Sequence, residues 1–598
     1  MIRALRGRWR QPATALSGAA LALALAGAGA LAAQPAAAAG GLPKPGVLRQ
    51  QTTTPKPKAS DKELRDRLLN AARKQAAQNT QQKRQAASGA PAASTGSSKV
   101  SPFIIGGTET TIASAPWMVQ LGYYDPATDE GYFCGGTLVA PNKVLTAAHC
   151  VAGLNWAKNG TVLAGATALD DYASGTVAGV MRQWSHQHYN LDTVQNDIAV
   201  LTLDRPLEQR WLQLAASNDS TLYRAGTSAT VYGWGLTAGG GSDLSANLRK
   251  ATLPLVADST CNSAMNSVLG ADYFREGSMI CAGTPATGTD EGTKSTCNGD
   301  SGGPLVVGGK IVGIVSWGVE GCTAQGAYPV FTKVSTYTVG AQPRIDDADL
   351  SYDGRADLLA RTPSGGLFEL DSKGTSLGRA AYQSKGWQTI SWGLQADLDR
   401  DYYQDLIIRD KGDGKLYRSY FDHASQEFTW MQISTVWGGY KSYAIPGDMT
   451  GDGRPDLVAV DSDGSVYLYP GKGNGQFNAK IKVVSKSWKG MKIFGRGDFS
   501  GDGKADLLVR YPNGTLYLYR GTQQAHTPWS PRILARTGWN FTQYVTNGDV
   551  TGDGIADVIT RDSSGTLWLY RGTNKASTGL FGARIKLGTG FNGYNLLF

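Results

Sequence analysis

Three short motifs stand out from a 598-residue chain with only five histidines. Thr146-Ala147-Ala148-His149-Cys150 holds a histidine, and Asn196-Asp197-Ile198-Ala199-Val200-Leu201 an aspartate. Gly299-Asp300-Ser301-Gly302-Gly303-Pro304 sets a serine among glycines, where backbone can approach a substrate closely. A serine hydroxyl is a poor nucleophile at neutral pH and needs a base within hydrogen-bond reach. Imidazole is the side chain that titrates in the useful range. The residue types therefore suit nucleophilic catalysis. Asp197 borders an apolar run that reads as a strand, and Ser301 a glycine-rich turn. His186 and His188 lie in a polar, loop-like stretch with no cysteine or acidic ligand pattern, and read as surface histidines.

The order His, Asp, Ser is joined by Ile104-Ile105-Gly106-Gly107 ahead and Ser316-Trp317-Gly318 behind. On these motifs, residues 104–340 resemble the trypsin/chymotrypsin family over roughly 235 residues. The resemblance implies a double β-barrel and peptide-bond hydrolysis. It assigns His149 as general base and acid, Asp197 as the group that fixes its tautomer, and Ser301 as nucleophile. The N–H groups of Gly299 and Ser301 would form the oxyanion hole. It also implies a zymogen cut between Phe103 and Ile104, whose new α-amino group would pair with Asp300. Phe103 departs from the basic residue of trypsinogens, so an aromatic-preferring protease, such as the enzyme itself, would have to make the cut.

Specificity in the family is set six residues before the catalytic serine, here Ser295, where trypsins carry an aspartate. A basic P1 side chain would meet no carboxylate there, which is costly. An apolar P1 residue is expected, with a basic one as the alternative. Ser316, Trp317 and Gly318 should line the pocket, with Gly318 leaving its mouth open. Pro329 should narrow the far wall, and Glu320 could reach a basic residue from the rim. All six cysteines fall in this segment: Cys134, Cys150, Cys261, Cys281, Cys297 and Cys322. Six cysteines allow 15 pairings. The resemblance implies Cys134–Cys150, Cys261–Cys281 and Cys297–Cys322. The helix that usually ends such a domain is expected to be short, stopping near Tyr337.

The length points to several domains. Glycine fills 77 positions, which suits a turn-rich all-β chain rather than a helical bundle. The net charge of +9 would suggest an anionic partner. That charge is unevenly placed. The first 103 residues hold 16 Lys plus Arg against Asp61, Glu63 and Asp66, leaving 42 bases against 46 acids in the rest. With the front end removed, the case for nucleic acid disappears. Residues 1–39 read as a signal peptide: basic, apolar, then small residues. An N-terminal membrane anchor is the alternative. Residues 40–103 read as a pro-segment and linker, too small and polar to hold a core. One helix is expected there, with Ser60 and Glu63 at capping-box spacing and Leu64, Leu68 and Ala72 on one face.

Residues 341–598 carry five aspartate loops, starting at Asp349, Asp397, Asp448, Asp498 and Asp549, at intervals of 48, 51, 50 and 51 residues. An alternating strand follows each, at Leu367, Leu416, Val466, Leu516 and Leu567. The repeats resemble FG-GAP/VCBS-type repeats, and their period suits propeller blades. Tryptophan-containing strands at Trp387, Trp437, Trp488 and Trp539 precede the later loops, and a related strand, Gly590–Tyr594, ends the chain. A five-bladed ring closed by that last strand is expected, with an open array as the rival. Oxygen side chains recur at loop positions 1, 3, 5 and 9 with glycine at 6, as in EF-hand loops but without the closing glutamate. Calcium is expected at Asp349, Asp353 and Asp357; at Asp397, Asp401 and Asp405; at Asp448, Thr450, Asp452 and Asp456; at Asp498, Ser500, Asp502 and Asp506; and at Asp549, Thr551, Asp553 and Asp557. The second loop departs, with Tyr402 in place of glycine and Asp399 as an extra carboxylate. Arg496-Gly497-Asp498 reads as part of that scaffold rather than as an adhesion tripeptide.

Together these features predict an all-β, secreted serine endopeptidase: a chymotrypsin-like double barrel followed by a β-propeller. No cofactor is expected for catalysis. Protein or peptide substrates are expected, with a protein or carbohydrate ligand as a candidate for the propeller. No membrane partner is expected once the signal is removed. A calcium-dependent binding or adhesion protein is the competing reading.

Overall fold

The computed structural model describes residues 42–43, 59–88 and 104–598, apart from 170, 172, 218, 239–243, 271–272, 320, 346–347, 352, 402, 423, 426 and 436. The signal-peptide reading, Phe103, Glu320 and Tyr402 lie outside the described residues. Among those described, no helix is long and apolar enough to cross a membrane.

Six antiparallel strands close the first barrel: Met118–Asp125, Glu130–Ala140, Lys143–Thr146, Gly160–Ala164, Thr176–Ser185 and Ala199–Leu203. Val119, Leu121, Leu138, Val144, Val162 and Leu201 fill its core. Met118–Tyr123 is buried on both faces, because a helix covers the outside. That helix is α1 (Asp61–Ser88). The short α2 (Trp156–Asn159) follows the His149 turn. The second lobe is an eight-stranded sheet around Val231, Leu253, Ile280, Leu305 and Phe331. It curls back on itself: Leu255 bridges Ala282, and Gly283 N donates to Pro254 O at 2.7 Å. The double barrel is therefore present. Helix α3 (Asp258–Leu269) flanks it, and α4 (Val334–Ile345) leads out of it. The expected early stop near Tyr337 is wrong. Helix α4 runs two further turns, because Ala341 and Ile345 pack into the first-barrel core.

Five four-stranded antiparallel sheets follow. In the first blade, the strand Leu358–Arg361 pairs with Leu596–Leu597 from the other end of the chain. Leu359 and Phe598 exchange both backbone hydrogen bonds, at 2.8 and 3.0 Å. The ring is thus closed by the C-terminal strand, as expected. Two details differ. Gly590–Tyr594 is not the closing strand but a helical turn (Phe591–Gly593) just before it. Trp387, Trp437, Trp488 and Trp539 lie in the connections between blades rather than in strands. Each is buried as a wedge between neighbouring sheets. The N–H groups of Trp387, Trp488, Trp539 and Phe591 bond the turn carbonyls of Gly365, Gly464, Gly514 and Gly565. Arg361, Arg409, Arg510 and Arg561 hold the carbonyls of Trp387, Trp437, Trp539 and Phe591. Polar backbone in these wedges is therefore satisfied despite burial.

The aspartate loops face the protease half. Arg182 Nη1 meets Asp549 Oδ2 at 2.5 Å, Ser217 Oγ donates to Gly451 O at 2.7 Å, and Gln187 Nε2 donates to Gly501 O at 3.0 Å. Arg344 of α4 sits over the Trp184 ring, near the charges of Asp498 and Asp549.

Candidate active site

His149 stands in a single helical turn, Ala148–Cys150, tied to the neighbouring strand by the Cys134–Cys150 disulfide. Its ring Nδ1 lies 2.8 Å from Asp197 Oδ2, and its backbone N–H donates to Asp197 Oδ1 at 2.8 Å. Asp197 is buried. Ser316 Oγ donates to Asp197 Oδ2 at 2.6 Å, and Thr332 Oγ1 donates to the Asp197 carbonyl at 2.8 Å. Both hydroxyls come from the second lobe, so the pair is set by the contact between lobes. Burial disfavours the imidazolium of His149, but the Asp197 charge and hydrogen bond outweigh it and raise the His149 pKa. Burial likewise works against the Asp197 carboxylate, and the His149 charge and the bonds from His149 and Ser316 hold it below its ordinary range.

Ser301 is half-buried. Its carbonyl accepts Gly135 N–H at 2.8 Å, which fastens the serine loop to the strand before His149. The next residue, Gly302, has φ +80°, and a Cβ there would lie 2.1 Å from Thr146 Oγ1 and 2.4 Å from Gly135 O. Only glycine permits that approach. Within residues 297–303, the N–H groups of Asp300, Gly302 and Gly303 bond Cys297 O, Val315 O and Asp300 O. Those of Gly299 and Ser301 have no acceptor among the described residues.

Asp300 is wholly buried and accepts Gly235 N–H at 2.8 Å and Cys297 N–H at 3.0 Å. Burial pushes its carboxyl up to about 7, against the pull of those amides and of Arg249. Gly233 and Gly235 make room for it: a Cβ on Gly235 would lie 2.4 Å from Asp300 Cγ. Ile104 is fully buried in the second core. Ser295 N donates to Ile105 O at 3.1 Å, so the two halves of the expected activation and specificity machinery are adjacent. Ser295 is buried, its hydroxyl turned to Thr296 O. Gly318 is exposed, with open space where a Cβ would be, while Pro329 is buried. The Ser316 hydroxyl is used on Asp197, so any contact Ser316 makes with substrate would come from its backbone. Trp317 packs partly buried against the Cys261, Met265 and Tyr328 cluster. Cys261–Cys281 and Cys297–Cys322 are also bonded. His186 is half-buried against Tyr337 and Trp184 rather than on the open surface, which lowers its pKa by desolvation.

The aspartate loops share one construction. The first aspartate accepts the N–H of the glycine at position 6, as in Asp349–Gly354 and Asp448–Gly453 (2.8 Å each), Asp498–Gly503 (2.8 Å) and Asp549–Gly554 (2.6 Å). The ninth accepts at least two amides: Ser351 and Ser372 on Asp357, Met449 and Gly471 on Asp456, Phe499, Ser500 and Gly521 on Asp506, Thr551 and Gly572 on Asp557. In the fourth loop, Asp498, Asp502 and Asp506 each offer an oxygen within 4.8 Å of the others. Ser500 Oγ sits beside Asp498. The second loop gathers Asp397, Asp399 and Asp405, but its centre holds a guanidinium: Arg418 reaches Asp399 at 2.5 Å and Asp405 at 2.8 Å. Asp401 stands beside Asp399 and is pushed up to about 7 by burial and that neighbour. Elsewhere basic residues intrude, Lys373 on Asp353 and Arg182 on Asp549. Arg496 is buried against Gln395 and Gln404, so the Arg-Gly-Asp triplet is not presented.

The trypsin family profile matches residues 104–339, and an FG-GAP-like repeat profile matches 448–509 and 498–560. A trypsin of Saccharopolyspora erythraea is 40% identical over 235 residues, covering 39% of this chain and 94% of that protein. The chain belongs to the trypsin family. Trypsin Blo t 3 of Blomia tropicalis is 34% identical over 239 residues (39% of this chain, 83% of that protein), and trypsin alpha of Drosophila melanogaster 38% over 230 (38% and 80%). The chain is thus a trypsin-family serine endopeptidase with FG-GAP-like repeats. Sequence reasoning missed Thr332, Gly135, Thr146 and Gly235, which position the trypsin-family residues through contacts made only across strands. The repeating arginines of the blades were the one missed set with a sequence signal.

Proposed function

We propose that the chain is a secreted endopeptidase that cleaves peptide bonds by acyl transfer at Ser301. Ser301 Oγ attacks the scissile carbonyl carbon and passes its proton to His149 Nε2. The tetrahedral oxyanion takes hydrogen bonds from the N–H groups of Gly299 and Ser301. Collapse of that intermediate breaks the C–N bond, and the leaving amine takes the proton from His149. Water repeats the sequence and frees the acyl group. The reading rests on one observation above all: the 2.8 Å His149–Asp197 contact, clamped by Ser316 beside the serine loop.

The enzyme is made as a zymogen in this reading. Asp300 is buried without an ion-pair partner among the described residues, and an α-ammonium freed at Ile104 would supply one. Apolar P1 residues fit best, because Ser295 brings no carboxylate to the pocket base; the trypsin names of the relatives favour the basic alternative. Three disulfides suit an oxidising, extracellular setting. Calcium fits the fourth aspartate loop best, where Asp498, Asp502, Asp506 and Ser500 would hold it and it would neutralise crowded carboxylates. It fits the second loop worst, because Arg418 stands there.

A fluorophosphonate should give one adduct, at Ser301 of the processed protein, and a peptide panel should rank Phe, Leu or Met above Arg at P1. A processed protein that takes no label refutes the triad assignment. A strong Arg preference overturns the specificity alone. A ligand-binding role for the propeller is the second reading, favoured by an axial channel of about 310 Å³ lined by Trp392, Tyr443, Phe494 and Tyr544. A Ser301→Ala protein that kept its full biological effect would make binding the main function.

A further inference from the structure

Helix α1 belongs to the segment ahead of Ile104, yet it is seated like a part of the finished domain. Ser60 Oγ caps it by accepting Glu63 N–H at 3.2 Å. Leu64, Leu68 and Ala71 are wholly buried. They press on the outer face of the first barrel, over Leu163, Ala166 and Val177. The strands beneath carry glycine where the helix backbone comes close. A Cβ on Gly122 would lie 3.0 Å from Leu68 Cα, and one on Gly131 would lie 3.1 Å from Ala71 Cα. A polar rim surrounds this floor. Arg65 Nη2 donates to Gly175 O at 2.9 Å, Arg205 pairs with Asp61 at 2.9 Å, and Lys74 pairs with Asp129. Gln75 Oε1 accepts Phe133 N–H at 3.3 Å, so a side chain of the segment caps the barrel's own backbone.

The groove lies on strands 118–125, 130–140, 160–164 and 176–185, and among the described residues no bond of α1 reaches His149, Asp197 or Ser301. A plug over the active site would have to touch that region. The same segment has a second foothold, far from the first. Trp430 Nε1 donates to Pro43 O at 2.7 Å, and Leu42 packs into the core between the first two blades. A largely polar helix is marginal in isolation, so α1 owes its stability to the surface it covers.

We propose that the segment ahead of Ile104 is a retained strap held at its two described footholds: after cleavage before Ile104 it stays bound without a covalent link, with α1 in the glycine-floored groove and Leu42–Pro43 on the propeller. The working enzyme is then two chains, and the segment stabilises the first barrel rather than blocking its substrate site. This rests on the zymogen reading for the natural cut, but its test does not.

A recognition sequence for a site-specific protease is placed between residues 90 and 100 of the full chain, in a Ser301→Ala background. After cutting, native mass spectrometry and gel filtration should find the two pieces together in one-to-one ratio. Cut protein carrying Leu64→Asp and Leu68→Asp should lose the N-terminal piece and melt at lower temperature. A synthetic 59–88 peptide added to the stripped protein should restore the melting point. Separation of the unsubstituted pieces on cutting, or a stripped protein that melts unchanged and ignores the peptide, overturns the strap. Failure of the chain to be cut naturally before Ile104 would overturn the zymogen reading and leave these results standing.

Discussion

The hydroxyl of Ser316 and the carboxylate of Asp197 decide what His149 can do. The proposed mechanism needs neutral His149, whose pKa is raised by Asp197, so kcat/KM should climb with pH through a value above the ordinary imidazole range. Asp197→Asn removes the raising charge. The acid limb of the pH profile should then move to lower pH, while kcat falls about 10⁴-fold, as expected when the histidine of such a triad is left in the wrong tautomer. Ser316→Ala deletes a 2.6 Å charge-assisted bond. A loss of about 1.5–3 kcal/mol, or roughly 10- to 100-fold in kcat/KM, is expected from ester-substrate kinetics. Gly302→Ala tests the serine loop. Its Cβ would strike Thr146 Oγ1 and Gly135 O in a left-handed backbone, so labelling at Ser301 should vanish and stability fall by about 2–4 kcal/mol.

At the scale of elements, the five aspartate loops look equivalent in sequence and are not equivalent in space. The residue two past the start of the following strand is Glu369, Arg418, Leu468, Leu518 or Leu569. Arg418 alone brings a cation, and it is buried between Asp399 and Asp405. Arg418→Leu strands those carboxylates, which should cost about 3–5 kcal/mol in thermal unfolding with chelator present. The melting point of that variant should respond to added calcium more strongly than that of the parent. A variant indifferent to calcium would speak against an arginine standing in for a metal. The sequence exposed the odd loop through Tyr402 and Asp399, but not the arginine, which lies on a strand about twenty residues away.

For the whole molecule, closure is the governing fact. The strand Leu596–Leu597 completes the first blade, and Phe598 packs against Gly393 of the second. Removing residues 596–598 should open the ring and expose an unpaired edge. Calorimetry should show the propeller transition shifted down, with self-association by gel filtration, while fluorophosphonate labelling of Ser301 persists. The protease half meets the propeller through the aspartate loops, so Asp549, one of the proposed calcium ligands, is also a docking residue through its ion pair with Arg182. His186, read from sequence as a surface residue, ends up beside this junction, because α4 extends towards the propeller and carries Tyr337 against its ring.

Residue identity and spacing alone determined the trypsin-family motifs, the five repeats and the closure of the ring by the end of the chain, though not which strand closes it. Each of these is a local pattern or a count of missing partners, and such information survives in one dimension. The tertiary structure alone decided that the Ser316 hydroxyl bonds Asp197, that Arg418 fills the second loop, and that α1 is seated on the barrel. These depend on which side chains meet across lobes, strands and domains. No periodicity encodes that meeting, because the partners are set by packing in three dimensions rather than by distance along the chain.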